Sequence, residues 1–420
     1  MAGAPKKKRL TRAMADLRIS CTAFESWIRH LARGSKKNGS TRDVVADLPD
    51  DILVDILSRL PIKSLCRCKL VSTRWRNLIS HPEHSKKLAQ TLAGFFYESY
   101  SKNRFPKLAR HFTNVSRAID PFIDPSLSFL PEYKSIDIKD SCNGLLLCHC
   151  WKHTDPATMD SVVCNPATEK WVVVPDSGWS SMVRITRLGF DPAVSSHFHV
   201  FEFVSNDIWY MDDGHNFDGA IVAVAVYSSK SGVWSLNINN HLPIPLGEFA
   251  MPQDSKGVFF NGILHLTTFY GMVLAIDVEG KVLRGIPFPI STHYEYDDSR
   301  PVHVYLSQGH LYLTTISDGY QPSIWVLEDY NGENWTLKHN VNLLHLFGAA
   351  NCSKVADNFS IISIHPEHDM IFLVCQTNSI LLSYEMDHMR LRFISHLGRH
   401  YTSDHIPYVP LFSESLADEQ

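Results

Sequence analysis

The amino-acid sequence predicts an α+β multidomain protein, in which a small three-helix module precedes a large all-β, propeller-like domain. Three observations predict it. An apolar helical face lies between two prolines near residue 50, short β-branched and aromatic runs fill the chain from residue 95 onward, and pairs of turn residues recur between these runs. The predicted domains are a basic N-terminal tail over residues 1–45, the helical module over residues 46–90, the β domain over residues 91–405 and an acidic C-terminal tail over residues 406–420.

The amino-acid composition indicates which broad class of protein this chain belongs to. The 420 residues are 44% hydrophobic and 20% charged, which is typical of a globular protein. No apolar run approaches the roughly 20 residues that cross a bilayer, and no apolar stretch follows the basic start, so neither membrane association nor a secretory signal is expected. The nine cysteines lack metal or redox spacing. Reduced thiols in the nucleus and/or the cytoplasm are expected.

Charge is unevenly distributed along the chain. Residues 1–42 hold eleven Lys and Arg residues against Asp16 and Glu25, a net charge of +9, so the remaining residues sum to −13. Because the main body is acidic, no nucleic-acid partner is expected. The basic run Lys6, Lys7, Lys8 and Arg9 has two interpretations, a nuclear import signal or a solvated tail. Apolar residues from Leu10 to Leu31 follow a helical spacing, which predicts a basic amphipathic helix. Such a helix packs on the body, docks on a partner, touches a membrane or acts as a transit peptide, and the first of these is favoured.

The helical module begins with a well-marked helix. Pro49 suits the first helical position because its missing N–H has no partner there. Asp50 and Asp51 place negative charge at the positive end of the helix dipole. One continuous apolar face follows, and Pro61 ends the helix. A short helix and a further helix over residues 73–80 complete the module. Three helices in under 40 residues cannot bury this surface among themselves, so a partner is expected.

The run from Leu48 to Leu53, followed by Ile56-Leu57, Leu60-Pro61, Lys63-Ser64-Leu65, Val71-Ser72 and Trp75 to Ile79, closely resembles an F-box in order and spacing. The resemblance implies docking on the Skp-family adaptor of a cullin-based ubiquitin ligase. The positions that match the contacts or supports of the family are Leu48, Pro49, Ile52, Ile56, Leu57, Pro61, Leu65, Val71 and Trp75. His84 departs from the family, which usually has an aromatic residue there.

Two series of turns recur in the β domain. The first consists of Asn143-Gly144, Asp191-Pro192, Asn261-Gly262, Gln308-Gly309 and Pro366-Glu367, at spacings of 48, 70, 47 and 58 residues. The second consists of Thr168 to Trp171, Lys230 to Trp234, Glu279 to Val282 and Asn331 to Trp335. Such repetition favours a propeller over a sandwich or barrel, since propeller blades repeat at about 40–50 residues. A sixth unit is predicted from Gly94–Tyr100 with C-terminal strands that close the ring.

The strings Ser141 to Cys148 and Val163 to Trp171 together resemble the F-box-associated domain of plant F-box proteins. The resemblance covers residues 95–400. It implies a kelch-like β-propeller that selects protein substrates for ubiquitination.

Catalytic motifs are not found in the sequence. The segments Cys148-His149-Cys150 and His365 to Asp369 are the nearest approach to metal sites. In a strand, however, Cys148 and Cys150 share one face while His149 points away, and Pro366 makes the second segment read as a hairpin turn. We therefore expect no catalytic residue, metal or cofactor.

Two loops combine acidic and aromatic residues, a mixture suited to a basic, partly apolar ligand. We hypothesise that they grip a basic segment of the substrate, and the alternative is that they are solvated turns. The candidate residues are Trp209, Tyr210, Asp212, Asp213, Tyr294, Tyr296, Asp297 and Asp298.

The sequence thus predicts a non-catalytic, substrate-recognition subunit of a Skp-cullin-F-box ubiquitin ligase. Its expected partners are the adaptor, through it a cullin, and a protein substrate. Two alternatives stay open: a non-degradative F-box interaction protein or transcription regulator, and a kelch-type propeller enzyme.

Overall fold

The computed structural model describes most of the β domain and parts of the helical module. The described residues are 49–58, 68, 73–80, 92–103, 107–115, 123–205, 221–238, 251, 255–268, 271–289, 302–317, 321–342, 346, 359–398, 401 and 404–411. The chain divides into two compact units, residues 1–90 and residues 91–420.

The first unit contains two described helices, α1 (Asp50–Ser58) and α2 (Thr73–Ser80). Asp50 and Asp51 occupy the first turn of α1, as the sequence predicts. Cys68 is also helical, but its neighbours lie outside the described residues. The three-helix arrangement therefore stays a prediction.

The second unit is a propeller of six blades within its described residues. Blades 2 to 6 each have four antiparallel strands in sequence order, so each blade is a meander of hairpins. Blade 2 comprises β3 (Ser135–Cys142), β4 (Leu145–Trp151), β5 (Met159–Asn165) and β6 (Lys170–Val174). Blade 3 comprises β7 (Val183–Gly189), β8 (His199–Ser205), β9 (Ile221–Ser228) and β10 (Val233–Asn237).

The remaining four-stranded blades follow the same plan. Blade 4 comprises β11 (Val258–Phe260), β12 (Ile263–Thr267), β13 (Met272–Asp277) and β14 (Val282–Pro287). Blade 5 comprises β15 (His303–Ser307), β16 (His310–Ser317), β17 (Gln321–Leu327) and β18 (Thr336–Asn340). Blade 6 comprises β19 (Phe359–Ile364), β20 (Met370–Cys375), β21 (Ile380–Glu385) and β22 (Arg390–His396).

Blade 1 joins the two ends of the domain. It comprises β1 (Gly94–Tyr100), β2 (Leu108–Asn114) and β23 (Ile406–Tyr408), with β1 between the other two. Gly94 pairs with Tyr408 and Phe96 with Ile406, which confirms the predicted closure by a C-terminal strand. The predicted domain end at residue 405 falls just before this strand, because three residues are too few to show a strand pattern in the sequence. Tyr408 is fully buried against Phe96 and Phe112.

The two predicted series of turns mark the first and third hairpins of the blades. In the first series, Asn143, Asn261 and Gln308 have positive φ angles of 46°, 52° and 50°, and the glycine after each also has positive φ. Two consecutive positive φ angles match the twist of a tight hairpin, which explains the Asn-Gly and Gln-Gly pairs. In the second series, Glu169, Gly232 and Gly280 adopt positive φ in the turns before β6, β10 and β14.

Apolar residues fill the seams between blades. The largest cluster lies mainly between blades 2, 3 and 4, where Phe198, Phe201 and Phe203 are fully buried. Two tryptophans of the second turn series, Trp234 and Trp335, add polar links across the seams. Trp234 Nε1 donates to Pro175 O at 2.7 Å, and Trp335 Nε1 donates to Pro287 O at 2.9 Å.

Candidate functional site

The first candidate site lies on the two helices of the first unit. Leu53, Val54 and Leu57 of α1 are buried, with exposed fractions of at most 1%. Trp75 of α2 is also buried, while Pro49 is exposed and Ile52 is half-buried. Of the predicted adaptor residues, Leu57 and Trp75 therefore support the module from inside, whereas Pro49 and Ile52 are accessible to a partner.

An ion pair joins the start of α1 to the start of α2. Arg74 Nε and Nη2 donate to Asp50 Oδ1 at 2.9 Å and 2.6 Å. Both side chains are largely exposed, so water screens this attraction. The pair holds Asp50 beside Arg74, while the exposed Asp51 remains as the acidic edge of the helix start.

The second candidate site is a cavity of about 1170 Å³ in the propeller. One part is the central channel, which is lined by residues from or beside the innermost strand of every blade. These residues include Asp140, Arg187, Gly257, Tyr305, Ile362 and His405. The other part is a groove between blades 2 and 3, which we call the 2–3 groove. Its lining includes His149, Trp151, Asp176, Ser177 and Glu202.

Charged groups in the central channel are held by backbone groups of other blades. Asp140 Oδ2 accepts from Leu188 N at 2.8 Å, and Oδ1 accepts from Ser141 N at 2.8 Å. Burial nonetheless raises the pKa of Asp140 to about 6, against the lowering attraction of Arg187 and these hydrogen bonds. The channel carboxylate therefore ties blade 2 to blade 3.

Two cations complete this network. Arg187 Nε donates to Ser255 O at 3.0 Å, and Nη1 donates to Thr186 O at 2.8 Å. Lys256 Nζ donates to Ile362 O at 2.9 Å and to His405 O at 3.2 Å. Lys256 precedes blade 4, while its two acceptors belong to blade 6 and to the residue before β23. Its side chain therefore spans the channel and occupies part of it.

The 2–3 groove contains a carboxylate of a different kind. Glu202, in the middle of β8, is only 6% exposed, and its Oε2 has no hydrogen-bond partner among the described residues. The pKa of Glu202 is raised by burial and slightly by the charge of Asp176, while a hydrogen bond from the Ser177 side chain lowers it. Trp151, 40% exposed, lines the same cavity. The groove thus combines a buried acid with an accessible aromatic ring.

The comparisons with known proteins agree with both units. A model of F-box-like domains matches residues 45–91. A family model described as the β-propeller of F-box protein At3g26010-like proteins matches residues 114–407, well over half of the chain. The chain belongs to this family of F-box proteins.

Relatives in Arabidopsis thaliana are similar to this chain along most of their length. The chain is 28% identical to F-box protein At5g07610 over 346 residues, which cover 79% of this chain and 79% of that protein. It is 22% identical to F-box protein At3g26010 over 359 residues, which cover 84% of this chain and 80% of that protein. The predicted F-box and propeller are thereby confirmed, whereas the kelch-like character stays a prediction.

Several predicted site residues of this F-box protein lie outside the described residues. They are the adaptor candidates Leu48, Pro61, Leu65 and Val71, the side chain of Ile56, the basic run Lys6 to Arg9, and the acidic and aromatic substrate loops with Trp209, Tyr210, Asp212, Asp213, Tyr294, Tyr296, Asp297 and Asp298. Their roles remain predictions.

The strand that contains Cys148 and Cys150 alternates as predicted. Both thiols are fully buried in the core of blade 2, whereas His149 on the opposite face lines the cavity. Burial, with the positive charge of Lys139, lowers the pKa of His149 to about 4, so the ring is neutral near pH 7.

In the described part of the chain, no group of three or more His, Cys, Asp or Glu residues is arranged to hold a metal ion. No helix in this part is long and apolar enough to span a membrane.

Sequence reasoning missed the channel network and Glu202. A signal for Glu202 was present, because it is the single charged residue within the apolar run His199 to Val204. A lone acid inside a buried strand indicates a polar partner or a ligand. No comparable pattern in the sequence marks Asp140, Arg187 and Lys256. Each has polar neighbours in the sequence, and each contacts its partners only when the blades pack into the propeller.

Proposed function

We propose that this F-box protein is the substrate-recognition subunit of a Skp-cullin-F-box ubiquitin ligase. The observation that carries the proposal is that one chain joins an F-box, matched over residues 45–91, to a propeller matched over residues 114–407. The first unit would bind a Skp-family adaptor, and through it a cullin, while the second would bind a protein substrate.

The accessible positions at and just before the start of α1 support the docking role. Pro49 is exposed and Ile52 half-buried, beside the exposed Asp50 and Asp51. An apolar contact with a polar rim is the usual anatomy of a protein–protein interface. We propose that Pro49 and Ile52, together with Leu48, Ile56, Pro61, Leu65 and Val71, contact the adaptor, while Leu57 and Trp75 hold the helices in place.

The propeller cavity supports the capture role. A cavity of about 1170 Å³ with a buried acid and an exposed tryptophan offers polar and apolar contacts to a polypeptide segment. Rate enhancement in this proposal comes from proximity, because holding a substrate near an activated ubiquitin thioester raises the local concentration of its lysines. No residue of this chain is assigned a chemical step.

A capture experiment in plant cells tests the proposal. We expect the intact chain to capture polypeptides that carry ubiquitin and that accumulate when the proteasome is inhibited. Leu48→Ala with Pro49→Ala should capture the same polypeptides without ubiquitin, because the propeller is unchanged while adaptor docking is lost. Captured polypeptides whose ubiquitin content is the same with both proteins would contradict the ligase role and favour a non-degradative interaction protein.

A further inference from the structure

Glu202 is a buried acid, and no cation of the described residues is recorded as acting on its charge. It lies in β8 between apolar neighbours, and the groups that act on its charge are Ser177, which donates a hydrogen bond, and Asp176, which repels it. Since Oε2 has no partner among the described residues, the two carboxylate oxygens are not equivalent. Glu202 lines the 2–3 groove, where Ser177 donates a hydrogen bond to its carboxylate and the buried Oε2 has no partner among the described residues.

The cations that line or border the same cavity are engaged elsewhere. Lys139 pairs with Asp137, and Lys152 pairs with Asp160 at 2.8 Å. Arg184 Nε lies 3.4 Å from Ser205 Oγ. Arg187 and Lys256 donate to backbone carbonyls of the channel, as described above.

A carboxylate in this position destabilises the folded protein. Removing an ion from water is costly, and the cost is recovered only when an opposite charge and hydrogen bonds replace the lost hydration. Glu202 has lost most of its hydration, has one donor from Ser177 and receives repulsion from Asp176. A cationic ligand group in the groove would supply the opposite charge and the further hydrogen bond that the described residues do not supply.

We propose that the Glu202 carboxylate receives the ammonium group of a lysine side chain from the protein segment that the propeller captures. This inference rests on the proposed function and adds a substrate feature to it. A lysine suits the site better than an arginine, because a guanidinium pairs best with two free carboxylate oxygens, whereas a compact ammonium needs only one.

The groove also suits the rest of a lysine side chain. The exposed face of Trp151 lines the same cavity and offers apolar surface to the four-carbon stem. Modification of the lysine would then control capture. Acetylation removes the positive charge and the ammonium donors, so an acetylated segment should not bind at Glu202.

Peptide retention on the full chain in complex with its adaptor tests the proposal. The probes are three pools of nine-residue peptides with lysine, Nε-acetyl-lysine or arginine fixed at the centre and the other positions randomised without basic residues. We expect the lysine pool to be retained at least tenfold better than the acetyl-lysine pool. Glu202→Gln should reduce its retention to the acetyl-lysine level, because the amide keeps the shape and loses the charge.

Glu279→Gln is the matched control, since it makes the same chemical change at an exposed glutamate in the turn before β14. This control should retain the lysine pool as the unmodified chain does. Equal retention of the lysine and acetyl-lysine pools, or unchanged retention by Glu202→Gln, would overturn the proposal. Stronger retention of the arginine pool would overturn the assignment to lysine.

Thermal unfolding separates a ligand-binding role from a structural one. Because Glu202→Gln removes an unpaired buried charge, its melting temperature should equal or exceed that of the unmodified chain. A clearly lower melting temperature would indicate that the carboxylate is a structural contact and would overturn the proposal. Adaptor binding by the intact chain, assayed alone, shows whether a failure concerns the ligase role or only the lysine site.

Discussion

The central channel and the 2–3 groove belong to one cavity, yet the charged side chains in the two regions differ in their hydrogen-bond partners. In the channel, Asp140, Arg187 and Lys256 each donate to or accept from backbone groups of another blade. In the groove, Glu202 retains an oxygen without a partner among the described residues. Charged side chains that hydrogen-bond to the backbone of another blade hold the ring in register, whereas Glu202 makes no such bond among the described residues and is the group that we propose to bind a ligand. Substitutions in the two regions should therefore have opposite consequences.

The largest effect on stability is expected at Arg187. Arg187→Met removes the donors to Ser255 O and Thr186 O and removes the positive charge that lowers the pKa of Asp140. Removal of one partner from a buried charge network typically costs about 3–5 kcal/mol. Urea unfolding of the full chain should show a loss of this size. Arg184→Met on the same strand is the control, with an expected loss of about 1 kcal/mol. Similar losses for both variants would contradict a special role for the channel.

The pH dependence of Asp140 should be the next largest effect. Its pKa in the folded protein is about 6, above the ordinary aspartate value that applies to the unfolded chain. Between about pH 4 and pH 6 the folded state therefore binds more protons, so the contribution of Asp140 to stability falls as pH rises through this window and is constant above it. The difference between these two pKa values corresponds to on the order of 3 kcal/mol.

Comparison with Asp140→Asn isolates this contribution, since asparagine does not titrate. The stability of the unmodified chain relative to Asp140→Asn should decrease from pH 4.5 to pH 6.5 and then level off at pH 7.5. Urea unfolding at these pH values measures the difference. A relative stability that stays flat or rises across this range would show that the channel does not disfavour the charged carboxylate.

A smaller effect is expected at the outer seams, where tryptophan side chains hydrogen-bond to the neighbouring blade. Trp335→Phe keeps most of the ring surface but removes the hydrogen bond from Nε1 to Pro287 O, which should cost about 1 kcal/mol. Trp171→Phe is the matched control, because Trp171 is 38% exposed and its Nε1 has no partner in the described part of the chain. Thermal unfolding should separate the two variants, and equal losses would contradict the seam role of Trp335.

Local patterns in the sequence were enough to predict the propeller hairpins. The Asn-Gly and Gln-Gly pairs require positive φ, so residues such as Asn143 and Gln308 mark their turns directly. The alternation of Cys148, His149 and Cys150 likewise follows from strand geometry. The boundaries of the short strand β23 were not predicted, because only its pairing with β1, some 300 residues earlier in the chain, identifies these three residues as a strand.

The candidate site was less predictable from the sequence, because its residues are far apart in the chain and meet only in the folded propeller. Lys256 contacts carbonyls more than 100 residues away, and no local pattern encodes such a meeting. Trp234 and Trp335 were recognised as recurring residues, but their roles as donors across blade seams required the packing of neighbouring blades. The F-box, by contrast, was predicted from consecutive residues, because its motif combines helix-capping and apolar signals within one short segment.

Adaptor binding by the purified chain tests the central claim most directly. Isothermal titration with a purified Skp-family adaptor should give saturable binding for the intact chain and no measurable binding for Leu48→Ala with Pro49→Ala. Val194→Ala with Leu283→Ala is the matched control, since it truncates two exposed apolar side chains of the propeller, and it should bind as the intact chain does. Absence of binding by the intact chain, or equal binding by the Leu48 and Pro49 variant, would contradict the account.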